Sequence, residues 1–164
     1  MNFKQFFLGE ERRKTGVYVS GIFDTNSNEK LFEWANVQTL PADVEILPKK
    51  DYHTTILYSR KNISKEYWIN ADVSYSCTPK QFRVFPYDKG TKCIVLELLA
   101  PSLISIHKEL IAAGGTHDYP EFIPHVTLFK MNNEFDISNL KLPEFKLNVD
   151  RIRSEDLDLN WASK

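Results

Sequence analysis

The sequence predicts an α+β protein: a single domain, residues 1–164, made of two related lobes. Three observations lead to this fold class. The order strand, helix, loop, strand occurs twice along the chain, with a period too long for a solenoid. The last strand of each copy opens with His-x-Thr and two apolar residues. At 164 residues, 42% of them hydrophobic, the chain is large enough to bury one core.

The first copy begins with a strand over residues 16–23, which are rich in β-branched and aromatic side chains. Asn26 and Glu29 then have the spacing of a capping box, which predicts a helix that starts at this point. A loop with two prolines leads to the strand HTTILYS, which begins at His53. Two further strand-like runs follow before the second copy: residues 71–77 and 81–85.

The second copy repeats this order. Residues 93–99 form an apolar run typical of a buried strand, and Pro101 marks the start of a helix with apolar residues at helical spacing. A glycine pair ends the helix, and a loop leads to the strand HVTLFK, which begins at His125. A last strand-like run, residues 145–152, precedes an acidic tail that starts at Ser154.

Charge and composition narrow the function classes. With 21 basic and 22 acidic residues the net charge is −1, so the chain lacks the positive field that collects a long nucleic acid, and any nucleotide ligand is expected to be small. The two cysteines have no metal-ligand spacing and are expected to be free thiols. No run approaches the roughly 18 apolar residues of a membrane span, and we expect a soluble, cytoplasmic protein without an obligate protein partner.

The repeated tripeptide supplies what phosphodiester cleavage needs. Alternate side chains of a strand share a face, so His53 and Thr55 project together, about 7 Å apart along the backbone, and so do His125 and Thr127. Two imidazoles, one neutral and one charged, serve as general base and general acid near neutral pH. The threonine hydroxyls donate hydrogen bonds to the phosphate oxygens. We therefore predict that these four residues are catalytic and need no metal or other cofactor.

Other interpretations of the histidines are weaker. Chance places only about 0.2 His-x-Thr tripeptides in a chain of this composition, and both copies also have matching elements around them. A zinc site made of the two motif histidines and a carboxylate would leave the threonines unexplained. His107, within a predicted helix, and His117, in a loop, are expected to have structural or solvated roles.

The paired motifs, each on a strand of a duplicated α+β unit, resemble the two-histidine phosphoesterase superfamily over roughly residues 16–153. The resemblance implies two pseudo-symmetric lobes of antiparallel sheet with helices on the outside and a central cleft. It also implies metal-free cleavage of cyclic or 2′-linked phosphodiesters, with a 2′-hydroxyl or water as nucleophile. The roles of the family's histidines and threonines transfer directly to the four motif positions.

The segment RSEDLDLNW, residues 153–161, resembles the C-terminus of phage anti-CBASS proteins, which degrade the cyclic oligonucleotide signals of bacterial anti-phage systems. This resemblance implies that Tyr18, Glu155 and Trp161 bind the nucleotide. The indole of Trp161, in a polar tail, can stack on a base. The carboxylate of Glu155 repels a phosphate, so it is expected to accept a hydrogen bond from a base or a sugar hydroxyl. The expected substrates are small cyclic oligonucleotides such as 3′,3′-cGAMP and cyclic oligoadenylates.

Two alternatives stay open. One is a phosphodiesterase for RNA 2′,3′-cyclic ends or 2′,5′-oligonucleotides, to which a basic patch of Lys80, Arg83 and Lys89 would contribute. The other is a protein that sequesters cyclic nucleotides without cutting them, which would have no need of two imidazoles. The two motifs are nearly symmetric, so the sequence does not decide which histidine is the base.

Overall fold

The structure, a computed structural model, describes residues 16–119 and 121–157. These residues form seven β-strands and two α-helices. The strands are β1 (Val17–Phe23), β2 (Glu45–Ile46), β3 (Thr54–Ser59), β4 (Ala71–Pro86), β5 (Lys92–Leu99), β6 (His125–Met131) and β7 (Leu147–Asp156). The helices are α1 (Thr25–Asn36) and α2 (Pro101–Ala112).

The strands of the described residues join in one open antiparallel sheet, in the order β2-β6-β5-β4-β7-β1-β3. In each predicted copy the two strands that flank the helix pair directly, β1 with β3 and β5 with β6. The duplicated order of elements and the α+β class are therefore confirmed. The halves of the sheet that contain these pairs are called the first lobe and the second lobe below.

The long strand β4 joins the two lobes. Its first part, up to Cys77, pairs with β7, and its second part, from Thr78, pairs with β5. The sequence predicted two separate runs here, and that prediction is wrong because one strand continues through both. The register shifts between Pro79 and Gln81, where the proline has no backbone N–H to donate to the ladder.

The two helices cover one face of the sheet and tie its lobes together. Trp34 of α1 stacks on Phe82 of β4, with 5.6 Å between the ring centres, and also approaches Phe129 of β6. Helix α2 packs on β3, so each helix contacts strands of the opposite lobe. The buried residues of helices and strands form one hydrophobic cluster. Neither helix, nor any other helix in the described ranges, is long and apolar enough to cross a membrane.

The capping residue of α1 differs from the prediction. The N-cap is Asp24, whose carboxylate accepts a hydrogen bond from the Ser27 backbone N–H at 2.7 Å, and Asn26 already lies inside the helix. The Asn148 side chain donates to the same carboxylate. Burial opposes ionisation of Asp24, but these hydrogen bonds outweigh it and lower its pKa. The capping-box prediction at Asn26 is therefore wrong by two positions.

Strand β7 is longer than the sequence predicts. Its pairing with β1 continues through Asp156, so the predicted acidic tail from Ser154 begins as part of the sheet. Ser154 is buried, and its hydroxyl donates to the carbonyl oxygen of Ile69 at 2.9 Å. Arg153 and Glu155 on either side are exposed. The charged residues therefore occupy the face of the sheet that the helices leave uncovered, which is called the open face below.

Candidate active site

The first motif directs its histidine and second threonine to the open face. Thr54 and Ile56 are fully buried, whereas Thr55 between them is half-buried. His53 immediately precedes β3 and is exposed. This alternation puts His53 and Thr55 on the same side of the strand, away from the core, as the sequence predicts.

The second motif repeats the arrangement on β6. Val126 and Leu128 are fully buried, and His125 and Thr127 are half-buried. The two motifs therefore present the same pair of side chains, an imidazole and a hydroxyl, on the open face. Strands β3 and β6 also contact each other, although they belong to different lobes.

A β-bulge after each threonine explains the two apolar residues that follow it. The pairing of β3 with β1 passes over Ile56, and the pairing of β6 with β5 passes over Leu128. Two consecutive residues are therefore buried in each strand, Ile56 with Leu57 and Leu128 with Phe129. The next residues in each strand are half-buried and return to the open face: Tyr58 and Lys130.

Both motif histidines are oriented by the same backbone contact. Nδ1 of His53 lies 2.8 Å from the carbonyl oxygen of Asp51, and Nδ1 of His125 lies 2.7 Å from the carbonyl oxygen of Ile123. A carbonyl oxygen only accepts, so each Nδ1 carries a hydrogen and donates it. In each ring Nε2 is therefore the atom that gains or loses a proton.

The two imidazoles are coupled electrostatically. Burial lowers the pKa of His125, and a positive charge on His53 lowers it further. The hydrogen bond to the Ile123 carbonyl and the negative charge of Glu97 act in the opposite direction. Because the rings repel each other when both are protonated, the site disfavours two charged imidazoles at once.

Tyr18 connects β1 to the first motif. Its hydroxyl forms a hydrogen bond of 2.8 Å with Oγ1 of Thr55, and its ring meets the His53 ring edge-on at 6.4 Å. Burial raises the pKa of Tyr18 to about 12; the hydrogen bond to Thr55 acts in the opposite direction, and the negative charge of Glu155 adds to the increase. The phenol is therefore protonated near neutral pH and available to orient the threonine hydroxyl.

The other two predicted nucleotide-binding residues differ in what the structure describes. Glu155 on β7 lies directly opposite Tyr18 on β1, and its side chain is exposed on the open face. Tyr18 and Glu155 are therefore neighbours, although 137 positions separate them in the sequence. Trp161 lies outside the described residues, and its role stays a prediction.

A charged network lies beside His125 and is centred on Glu97, which was not found from the sequence, although Lys80 and Arg83 were named as part of a basic patch. Glu97 on β5 lies opposite His125 on the neighbouring strand β6 and opposite Gln81 on the neighbouring strand β4. It is only 6% exposed. Nε of Arg83 donates to its carboxylate at 2.9 Å, Gln81 donates to the same oxygen, and Nζ of Lys80 is 3.7 Å from the other oxygen. Burial opposes ionisation of Glu97, but these partners lower its pKa. The one feature of the sequence that could have indicated this network is the single acidic residue within the apolar run CIVLELL.

Comparison with known proteins decides the family. Residues 15–164 match the family model described as "Anti-CBASS protein Acb1". The chain belongs to this family. The Acb1 protein of Vibrio phage KVP40 is 34% identical over 113 residues, which cover 69% of this chain and 71% of that protein. The Acb1 protein of Enterobacteria phage T4 is 29% identical over 164 residues, which cover 99% and 97% of the two chains.

Solved structures confirm the predicted fold of this Acb1-family chain. The protein TT0787 of Thermus thermophilus has a TM-score of 0.61 at 14% identity, over 85% of this chain and 86% of that one. E. coli LigT in complex with 3′-AMP has a TM-score of 0.58 at 12% identity, with the same coverage. The two-histidine phosphoesterase fold and the resemblance to phage anti-CBASS proteins are thus both confirmed.

The remaining histidines of this Acb1-family protein anchor its structure, as the sequence predicts. His107 on α2 donates through Nδ1 to the Ile56 carbonyl oxygen at 2.7 Å and stacks on Phe122 at 4.1 Å. Nδ1 of His117 accepts a hydrogen bond of 3.3 Å from the Tyr58 backbone N–H. Burial is the main cause that lowers the pKa of His117 to about 4, and the positive charge of the nearby His107 is the second cause. Both rings therefore hold β3 in place.

The side chains that could bind a metal ion do not cluster in the part of the chain that the structure describes. No three or more His, Cys, Asp or Glu side chains in these ranges form a group that fits a metal ion. Cys77 and Cys93 are buried and unbridged, and burial raises the pKa of both thiols. The thiols are therefore protonated near neutral pH and unreactive.

Proposed function

We propose that this Acb1-family protein is a metal-independent phosphodiesterase that hydrolyses cyclic di- and trinucleotides, such as 3′,3′-cGAMP and cyclic oligoadenylates, to linear products. The observation that carries the proposal is the matched pair of motifs, because each presents a histidine Nε2 and a threonine hydroxyl on the open face. The anti-CBASS name of its relatives supports this substrate class. In the cytoplasm of an infected bacterium, the reaction would let a phage evade CBASS defence.

The proposed mechanism uses one histidine as base and the other as acid. The neutral imidazole takes a proton on Nε2 from a ribose 2′-hydroxyl or a water as that oxygen forms its bond to phosphorus. The charged imidazole gives its Nε2 proton to the 5′ oxygen as the phosphorus–oxygen bond breaks. Each of these proton transfers typically contributes about 10²–10⁴-fold to the rate.

Hydroxyl groups stabilise the phosphate during this reaction. Thr55 and Thr127 donate to the non-bridging oxygens, which gain negative charge in the transition state. The hydroxyls of Tyr18 and Thr55 lie 2.8 Å apart, and a Tyr18 that donates to Oγ1 would leave the threonine hydrogen free to point toward the phosphate. Glu155, exposed beside Tyr18, accepts from a base or a sugar hydroxyl, and Trp161 stacks on a base.

Incubation with a panel of cyclic di- and trinucleotides, in EDTA and with products identified by mass, tests the proposal. We expect linear products and full activity in the chelator, because imidazole and hydroxyl groups perform every step. Loss of turnover in EDTA, or faster cleavage of RNA with 2′,3′-cyclic ends, would contradict it. Recovery of intact cyclic nucleotide bound to the protein would instead indicate sequestration.

Tyr18→Phe is expected to reduce kcat by about 2- to 12-fold, the equivalent of one hydrogen bond worth roughly 0.5–1.5 kcal/mol. The reason is that the Tyr18 hydroxyl acts through Thr55. A double-mutant cycle measures this: in a Thr55→Val background, Tyr18→Phe should have no further effect on kcat. Independent, multiplicative effects would show that Tyr18 acts on the nucleotide directly.

A further inference from the structure

The charged network of Glu97, Arg83, Gln81 and Lys80 takes no part in the two proton transfers. We propose that Arg83 is a further catalytic residue that binds the scissile phosphate, and that Glu97 is the positioning residue that holds its guanidinium. This inference rests on the proposed phosphodiesterase function and adds a cation to it.

Arg83 lies in the same row of the sheet as the second motif threonine. Arg83 on β4 pairs with Val95 on β5, and Val95 pairs with Thr127 on β6. Directly opposed residues of antiparallel strands project from the same face, so Arg83 and Thr127 share the open face. Two strand spacings, roughly 10 Å, separate their backbones. An arginine side chain and a phosphate together span that gap.

The contact with Glu97 fixes which atoms of Arg83 are available. Nε donates to Oε2 of Glu97 at 2.9 Å, and the contacts of the described residues leave the outer edge of the guanidinium, formed by its two terminal NH₂ groups, open to a phosphate. The side chain of Glu97 is 8% exposed and that of Arg83 is 39% exposed, so the acid is the inner partner and the arginine reaches into the open space. Glu121, exposed in the loop before β6, is the other carboxylate that acts on Arg83.

Folding does not require an acid at this place. A carboxylate taken out of water is destabilising unless it is paired, and an apolar residue of similar size usually serves the fold equally well. The first lobe has an apolar residue at the corresponding place. Ile22 on β1 lies two residues after the strand partner of Thr55, just as Glu97 on β5 lies two residues after the strand partner of Thr127. Glu97 and its partners therefore make the second lobe chemically different from the first.

The charges of the network suit a phosphate. Lys80 and Arg83 balance the carboxylates of Glu97 and Glu121, so no net negative charge around the guanidinium repels the substrate. A guanidinium donates two parallel hydrogen bonds to two phosphate oxygens, which a lysine ammonium cannot reproduce. Because these oxygens gain charge in the transition state, the contribution appears mainly in kcat, on the order of 10²-fold for one such donor group.

The test compares Arg83→Ala, Arg83→Lys, Glu97→Gln and the double variant Arg83→Ala/Glu97→Gln. We expect Arg83→Ala to lower kcat about 100-fold with a small change in KM, and Arg83→Lys to recover part of the loss. Glu97→Gln should also lower kcat, and the double variant should be no slower than Arg83→Ala alone, because Glu97 acts through Arg83. Thermal unfolding identifies any variant that fails to fold, and Arg83→Gln then replaces Arg83→Ala.

Lys92→Ala is the matched control. Lys92 is 37% exposed and forms an ion pair of 3.0 Å with the exposed Glu134, so its loss removes the same charge and an ion pair at the far end of β5. Its kcat should equal that of the unmodified protein. Equal kcat values for Arg83→Ala and Lys92→Ala would overturn the role of Arg83, and multiplicative effects of Arg83→Ala and Glu97→Gln would overturn the positioning role of Glu97.

A binding measurement separates this inference from the proposed function. Inorganic phosphate, titrated by calorimetry, stands for the scissile group and does not depend on the identity of the substrate. Arg83→Ala should weaken phosphate binding about tenfold or more, and Lys92→Ala should leave it unchanged. If the unmodified protein cuts no cyclic nucleotide, the proposed function fails, while the phosphate affinities still decide for or against Arg83.

Discussion

His53→Ala and His125→Ala should each reduce the kcat for cyclic nucleotide cleavage by about 10²–10⁴-fold, because each removes one of the two proton transfers. Both rings are held through Nδ1 by a backbone carbonyl, so alanine removes the catalytic Nε2 and leaves the backbone of the strand unchanged. The double variant should be much less impaired than the product of the single effects, since residues that act as a unit are not additive. Single-turnover assays with mass detection measure all three rates.

Thr54→Val is the control for the histidine variants. Thr54 lies between His53 and Thr55 in the sequence but is fully buried, and its Oγ1 has no hydrogen-bond partner among the described residues. Valine has nearly the same shape and no unsatisfied hydroxyl, so we expect unchanged activity and a free energy of unfolding equal to or up to about 1–3 kcal/mol higher. Urea unfolding measures the stability. A loss of activity comparable to that of His53→Ala would show that Thr54 faces the site.

The sequence was sufficient where local pattern and burial coincide. Strands β1, β3, β5 and β6 and both helices were predicted because their apolar residues follow the period of the element and face one core. The two motif pairs were found for the same reason. In each motif the residue between the histidine and its threonine, and the residue after the threonine, lie on the buried face, so the histidine and the threonine were left on the other.

The errors occurred where long-range contacts or the open face decide the structure. Strand β4 is continuous because β7 pairs with its first part and β5 with its second, which no local window reveals. The end of β7 was taken for a tail because Arg153 and Glu155 are charged, and they are charged because the open face meets solvent instead of a core. Glu97 was missed because its partners, Gln81 and Arg83, are brought to it only by strand pairing.

Thr127→Val should lower kcat/KM by about 10- to 150-fold, since a hydrogen bond to a charged group is worth roughly 1.5–3 kcal/mol. Thr127 is half-buried on β6 and valine suits a strand, so stability should change little. Thr127→Ser keeps the hydroxyl and should restore most of the activity. Thr55→Val should lower kcat/KM more than Thr127→Val, because it also ends the contact through which the half-buried Tyr18 orients a phosphate donor. Steady-state kinetics of the three variants measure this order. Equal rates for Thr127→Val and the unmodified protein would show that Thr127 has no part in the mechanism. The phosphate would then be bound by Thr55 and by the cations of the second lobe.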